Sequence, residues 1–488
     1  MGIKRYTAEA DNTITNAYKP NLRSRATGSN MGLSDSVEVF YIYGQQDSGS
    51  SELSRVLIQF PMTQITTDRT NGVLPASGNV SFHLRMFNAR HPYTLPREYN
   101  MIVSTVSRAW NEGTGLDMED YSNSGSSNWT TAASASSGVT AWTTEGGDYH
   151  AEPRFTASFE DGTEDIEIDV SDAVERWLAG SRDNYGFGVR MEDETALSSS
   201  YTKKFFARGT EFFFRRPLIE ARWDSATRDD RGNFYFSSSL ATSEDNLNTV
   251  YLYNYVRGRL RDIPDIGTGS IHVSIYSGSA DNSEPTGSRI VKVVDGTHVI
   301  TDNPYVVTGG HVSTGIYSAS FALTAASNPL TTAFDVWHSG TTQFATSSFS
   351  PKKLESLAYN PYSRYVINIT NLRDRYYRNE TAQFRLYSRN KDWQPTIYVK
   401  ASAVPENNLV ESGSYKVVRI VDNLDVIPFG TGSDNHTQLS YDVSGSYFDL
   451  DIDMLEAGYS YGIKFAFYDD GAQSWNEYPD IFKFRVEE

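Results

Sequence analysis

Residues 163–190 read TEDIEIDVSDAVERWLAGSRDNYGFGVR, and a change of period inside them decides the fold. Ile166 and Ile168 alternate with Asp165, Glu167 and Asp169, the period of two that marks a half-buried strand. The spacing then changes: Val170, Val174, Trp177 and Leu178 fall at i, i+4, i+7 and i+8, on one face of a helix. Ser171 is placed to cap that helix, Asp172 lies near the positive end of its dipole, and Gly180 is placed to stop it. The stretch therefore predicts a strand, a short helix, a turn at Asn184 and a second strand through Tyr185, Phe187 and Val189. As the only helix that interrupts a chain of strands and turns, it is expected to plug one end of a β-sandwich with Trp177 as the stopper. A ligand role for Trp177 is the alternative.

The chain has 488 residues, enough for about three domains that each bury a core. Its 61 acidic and 43 basic residues give a formal charge of -18, which opposes binding to nucleic acid or an anionic membrane. No stretch approaches the ~20 apolar residues of a membrane span, and MGIKRYTAEADNT lacks the apolar centre of a signal peptide. These features predict a protein that is neither inserted in a membrane nor exported by such a signal. The absence of cysteine excludes disulfides and thiolate metal sites. Tyrosine is the commonest aromatic and arginine outnumbers lysine 31 to 12, two biases that suit packed contacts between protein surfaces.

Three units follow from the runs of strand and turn. Residues 1–225 carry VEVFYIYG, SRVLIQFP, VSFHLRMFNA and YNMIVSTVSRAW, with a Ser/Gly/Asn-rich insertion from Gly113 to Gly138 that is long enough to be mobile or functional. Residues 226–400 carry TVYLYNYVRGRL, SIHVSIYSG, RIVKVV, GIYSASFAL, AFDVWHS and YVINITNL, again a sandwich, with SPKKLESLAY as a candidate short helix capped by Ser350. FRLYSRNKDWQPTIYVKA closes that unit, with Trp393 expected to pack, and SAVPENNLVESGS is read as the linker to residues 401–488. In this last unit Leu455, Gly458 and Tyr461 have the L-x-x-G-x-x-Y spacing of a tyrosine corner, which resembles the fibronectin type III or immunoglobulin-like sandwich. The fold class expected is all-β and multi-domain, a tandem of β-sandwiches.

Chemistry is sparse. The eight histidines show no ligand spacing, and there is no P-loop and no cysteine nucleophile. Carboxylate pairs are too common to single one out, so a polysaccharide depolymerase stays open as a third reading. Asp449, Asp451 and Asp453 alternate with Leu450 and Ile452; calcium is one reading, a solvated acidic strand face the favoured one, since same-face residues stand ~7 Å apart. In WTTEGGDY, Trp142 and Asp148 could receive a sugar, while Gly146 and Gly147 could equally serve a positive-φ turn, the reading preferred. No cofactor is expected and the metal is left unknown.

The first unit resembles a DNRLRE-type domain, a jelly-roll-like sandwich related in shape to carbohydrate-binding modules. The residues that carry the resemblance run in order: RVLIQFP from Arg55, AWNEG around Trp110, NW at Trp129, WTTEGGD with Gly147 and Asp148, IDVSDAVERWLAG with Val174, Trp177, Leu178 and Gly180, KKFFAR, and PLIEARW. The resemblance implies that the helix is a fixed structural element without a catalytic residue. Such domains occur on bacterial surface proteins and in phage virions, and TGIYSASFAL with FDVWHSG has the look of virion proteins of tailed marine phages. It implies a non-enzymatic virion structural protein of neck, tail, baseplate or fibre, assembled in the bacterial cytoplasm and partnered by its own copies and other virion proteins. The alternative is a carbohydrate-binding adhesin for host polysaccharide.

Overall fold

A computed structural model describes residues 1–91, 97–116, 126–135, 138–195, 201–277, 306–324, 330–354, 364–392 and 407–488. The chain is all-β and multi-domain, built of sandwiches and open sheets, with two short α-helices among the described residues. It divides into two compact units, Gly2–Asp224 and Ser225–Glu488.

In Gly2–Asp224 a four-stranded sheet faces a seven-stranded one. The first runs in the order Ile3–Thr7, Leu218–Arg222, Ser81–Met86, Ile166–Asp169; the second is built around Ser51–Gln59 and Tyr99–Val106. Every described pairing is antiparallel, so each strand can present one face to the core and one outward. Tyr6, Phe82, Leu84, Ile166 and Ile219 from one sheet meet Val56, Ile58, Met101, Val103, Phe187 and Val189 from the other in a single apolar core.

The helix expected after Val170 spans Ser171–Leu178, here α2, and buries Ala173, Val174 and Trp177. Trp177 packs on Phe187, ring centres 4.8 Å apart, which is the plug the sequence predicts. Gly180 takes φ +66°, and two hydrogen bonds, Gly180 N–H to Trp177 O and Ser181 N–H to Arg176 O, close a Schellman motif. The start differs from expectation. Ser171 is the first helical residue, preceded by Val170, and its Oγ accepts the N–H of Phe82 in the neighbouring strand, so it ties helix to sheet instead of capping. Nor is this helix alone: Met62–Thr70, α1, lies in a stretch with four threonines and no apolar stripe, buries only Ile65, and is joined to α2 through Arg69 and Glu175 at 2.7 Å.

The Gly113–Gly138 insertion, where described, contributes to a second apolar cluster. Trp110, Trp129, Ala132 and Trp142 pack with Ile14, Leu57 and Val106, helped by a hairpin of Thr131–Ala135 and Gly138–Ala141.

Within Ser225–Glu488 an antiparallel six-stranded sheet runs in the order Asn248–Tyr253, Ile316–Phe321, Val306–Ser313, Ile271–Ser277, Ala333–Ser339, Thr342–Phe349. Phe234, Phe236 and Ile263 join its core. RIVKVV and Trp393 lie outside the described residues. SPKKLESLAY is extended where it is described, Lys352 bridging to Tyr235, and residues 355–360 lie outside.

The expected boundary at 400 is displaced. Tyr365–Ile369 and Thr381–Asn390 pair in one sheet with Gly445–Asp451, and Arg375–Tyr377 pairs with Phe482–Glu487 in the facing one. The last sandwich thus starts near residue 365, because among the described residues these strands pair within it. Its core is aromatic: Phe384, Phe448 and Tyr415 stack, the latter two with ring centres 4.0 Å apart. The tyrosine corner is present. Tyr461 Oη donates to Glu456 O at 2.8 Å, Leu455 is fully buried, and Gly458 takes φ +89° with its N–H on Val486 O.

Candidate functional site

Four of the first-unit motifs converge on one place. Along Ser51–Gln59, Val56 and Ile58 enter the sandwich core while Arg55 and Leu57 point to the opposite side, as a period of two requires. Arg55 Nε and Nη2 grip the Glu194 carboxylate at 2.9 and 2.6 Å, and Nη1 donates to Gly146 O at 2.8 Å. The guanidinium also lies 5.2 Å from the Trp129 ring and 5.8 Å from that of Tyr149. Gly146 takes φ +88°, and a Cβ there would stand 2.8 Å from both Arg55 and Trp129, so the G-G pair is demanded by close packing as well as by the turn.

Asp148 closes the same turn. Its carboxylate accepts the N–H groups of Thr143 and Thr144 at 2.9 and 3.0 Å and Arg108 Nε at 2.7 Å. Partial burial works against the charge, but these donors hold the carboxyl below its ordinary value. Trp142 is only 6% exposed and its Nε1 donates to Asn128 O at 2.8 Å. The geometry at Trp142 and Asp148 is that of the preferred turn reading and not of the sugar platform, since the indole lies in the apolar cluster and the carboxylate is occupied by its own turn and Arg108. Trp110, 7% exposed, bonds Tyr185 O at 2.9 Å. The N-Y-G-F-G turn is as tightly bound: a Cβ on Gly186 would lie 2.0 Å from Ile58 O, and one on Gly188 2.0 Å from the Tyr149 ring.

Two buried polar clusters were not signalled by local sequence. In one, Asn12 Nδ2 and Asn30 Nδ2 both donate to Ser127 O at 2.9 Å, Asn30 Nδ2 also reaches Glu112 O, and Glu112 pairs with Arg208. Asp11 lies fully buried among them; burial pushes its carboxyl up to about 7, against the Arg208 N–H that lowers it, and the Glu112 charge adds to the rise. In the other, Glu220 is enclosed by Arg5, Arg85 and Arg222 at 2.7, 3.2 and 2.7 Å, and these guanidinium groups outweigh burial to hold its carboxyl far below the ordinary range. Apart from Arg222, two residues from Glu220, the partners are about 80 to 215 residues apart in sequence, which is why spacing could not reveal them. Glu112 of AWNEG, Arg208 of KKFFAR, Arg85 of VSFHLRMFNA and Glu220 and Arg222 of PLIEARW lay within quoted motifs, but nothing in those motifs pointed to their partners.

In Ser225–Glu488, Arg231 pairs with Asp335, which also accepts Trp337 Nε1 at 2.7 Å, and Tyr441 Oη donates to Asp230 at 2.7 Å. His272 and His338, opposite one another on adjacent strands, have ring centres 5.9 Å apart. The calcium reading of the three aspartates meets a different geometry. The strand ends at Asp451, whose side chain accepts the Asp453 N–H at the head of a 3-10 turn, while Asp453 turns to Arg378 at 3.1 Å. Among the described residues no group of three or more His, Asp or Glu is arranged to hold a metal ion. A cleft of about 800 Å3 between α1 and α2 is lined by Arg69, Leu74, Glu175, Arg176 and Leu178; Arg69 and Glu175 pair with each other and Arg176 pairs with Asp172.

No protein-family model matches the chain and no curated protein matches it. Among solved structures it is similar to a Salmonella alpha-2-macroglobulin reacted with methylamine, at 8% identity and a TM-score of 0.15, covering 99% of this chain and 26% of that one. It is also similar to dimeric latent PorU from Porphyromonas gingivalis, at 11% identity and a TM-score of 0.16, covering 99% of this chain and 34% of that one. The chain thus spans about a quarter to a third of the length of the solved chains it matches. No helix among the described residues is long and apolar enough to cross a membrane.

Proposed function

We propose that this chain is a non-enzymatic structural protein of a tailed-phage virion, set in the neck, tail, baseplate or fibre root and acting through interfaces with its own copies and other virion proteins. The observation that carries the reading is the way the motif residues are spent: Arg55 on Glu194 and Gly146, Asp148 on its own turn, and Trp110, Trp129 and Trp142 on an outer apolar cluster. Residues of catalytic or sugar-binding type are used here to brace loops against sheets, which suits a rigid building block. Sandwiches in tandem and the resemblance to DNRLRE-type domains support the same setting.

Quantitative mass spectrometry of gradient-purified particles tests it. The reading expects this chain at a fixed copy number per particle; its absence from particles that carry their other structural proteins contradicts it.

A further inference from the structure

The hairpin Tyr255–Val256 and Arg259–Leu260 differs from the rest of the surface of its unit. Its turn, Arg257 and Gly258 at φ +52° and +78°, is the left-handed pair that a tight hairpin requires. Tyr255 is 62% and Val256 44% exposed. By strand alternation Val256, Arg259 and Arg261 share one face, with Arg257 at the tip. None of the three guanidinium groups has an ion-pair or hydrogen-bond partner among the described residues, whereas the arginines elsewhere in the unit at 231, 373, 378, 385 and 419 are paired.

The base of the hairpin is fixed. Asn254 N–H bonds Gly315 O at 2.8 Å, Arg261 N–H bonds Asn254 O at 3.0 Å, and Asn254 Nδ2 bonds Arg261 O at 2.6 Å. Asp262, which follows Arg261, is engaged by the Gly315 N–H at 2.6 Å and by His311 at 3.1 Å. The backbone that carries three cations unpaired among the described residues and two exposed apolar side chains is therefore anchored at its base before any partner arrives, an arrangement that lowers the ordering cost of binding.

The chain itself supplies the complementary surface. It carries a formal charge of -18, and its loop 160–165, EDGTED, has four acids in six residues. Glu160 and Asp161 are exposed and have no ion pair among the described residues. This loop is fixed too: Glu164 accepts the N–H groups of Glu160 and Asp161 at 2.8 and 2.7 Å, and Lys203 Nζ holds Gly162 O and Glu164 O from beneath at 3.1 and 2.7 Å. Asp165 is engaged by the Asn88 N–H at 2.7 Å and faces Arg215 at 4.0 Å. Planar guanidinium groups recognise carboxylates bidentately. We propose that the 255–260 hairpin docks on the 160–165 loop of a second copy of this chain. The inference deepens the assembly reading and takes its biological setting from it.

Sedimentation velocity on the full chain tests the contact. The wild type is expected to self-associate at low salt and to dissociate near ~1 M salt, where the screening length is ~3 Å. R257E/R259E and E160R/D161R should each weaken association about tenfold or more, with unchanged melting temperature because all four side chains are exposed. Mixing the two variants pairs an intact hairpin with an intact loop and should restore a dimer. A monomeric wild type, either variant associating like the wild type, or a mixture that stays monomeric overturns the proposal. So does a monomeric wild type whose hairpin instead binds heparin, which assigns the hairpin to an acidic polysaccharide. Presence in virions is a separate measurement, so the assembly reading and this contact fail independently.

Discussion

Arg55 and Glu194, 139 residues apart, meet through two N–H···O bonds of 2.9 and 2.6 Å at the foot of the insertion that covers the outer Trp cluster. The pair is mostly shielded, with side-chain exposures of 14% and 13%, so its geometry counts for more than that of a surface ion pair. Arg55→Ala takes both guanidinium donors from the Glu194 carboxylate, while Gly146 O keeps the Tyr149 hydroxyl at 2.8 Å. The expected loss is roughly 3 kcal/mol, within the range for breaking a shielded pair by removing one partner. Chemical denaturation followed by Trp fluorescence reads it, and a loss below about 0.5 kcal/mol, the scale of an exposed pair, would mean that the pair is ornamental.

Trp177→Ala empties the site where α2 meets Phe187. With Trp177 only 7% exposed, the expected cost is roughly 3 to 5 kcal/mol. Differential scanning calorimetry should show a clearly lowered transition; an unchanged one means that α2 does not close the sandwich.

Tyr461→Phe removes the hydroxyl that holds Glu456 O at 2.8 Å while keeping the fully buried ring. The expected loss is about 1 to 2 kcal/mol, a hydrogen bond plus an acceptor left without its partner. Thermal melts of wild type and variant decide it.

Asp11 carries a pH signature. Its folded-state carboxyl is raised from 3.8 to about 7, so the folded state holds the proton more tightly than the unfolded chain. This contribution is fully present below pH 3.8 and is lost as pH rises towards 7 and beyond. Asp11→Asn keeps an acceptor for the Arg208 N–H and cannot ionise. Relative to wild type it should gain stability steadily between about pH 4 and pH 8; denaturation midpoints that stay parallel over that range would contradict the assignment.

What was legible in the sequence was the part written in local periods. The helix at 171–178, its Gly180 stop and the tyrosine corner at 455–461 each rest on residues within ten positions of one another. What was hidden depends on distance or on weak propensity. MTQITTDRT has no apolar stripe, and α1 forms there with Ile65 buried and Arg69 tied to Glu175 of α2. Strands 365–390 read as the end of the second unit because nothing in their local pattern marks a boundary, and their pairing with 445–451 and 482–487 assigns them to the last sandwich. For the candidate site, the motifs named residues that the fold brings together, but a Trp beside Gly-Gly-Asp looks alike as a sugar platform or a packed turn. The hydrogen bond from Trp142 to Asn128 O separates the two.

The most direct test of the structural reading is immunogold electron microscopy of purified particles from the source lysate with antibody against this chain. The account predicts gold at a fixed place on the particle, at the head–tail junction, along the tail or at the baseplate. Particles without label, with the antigen recovered free or on cell surfaces, would contradict it.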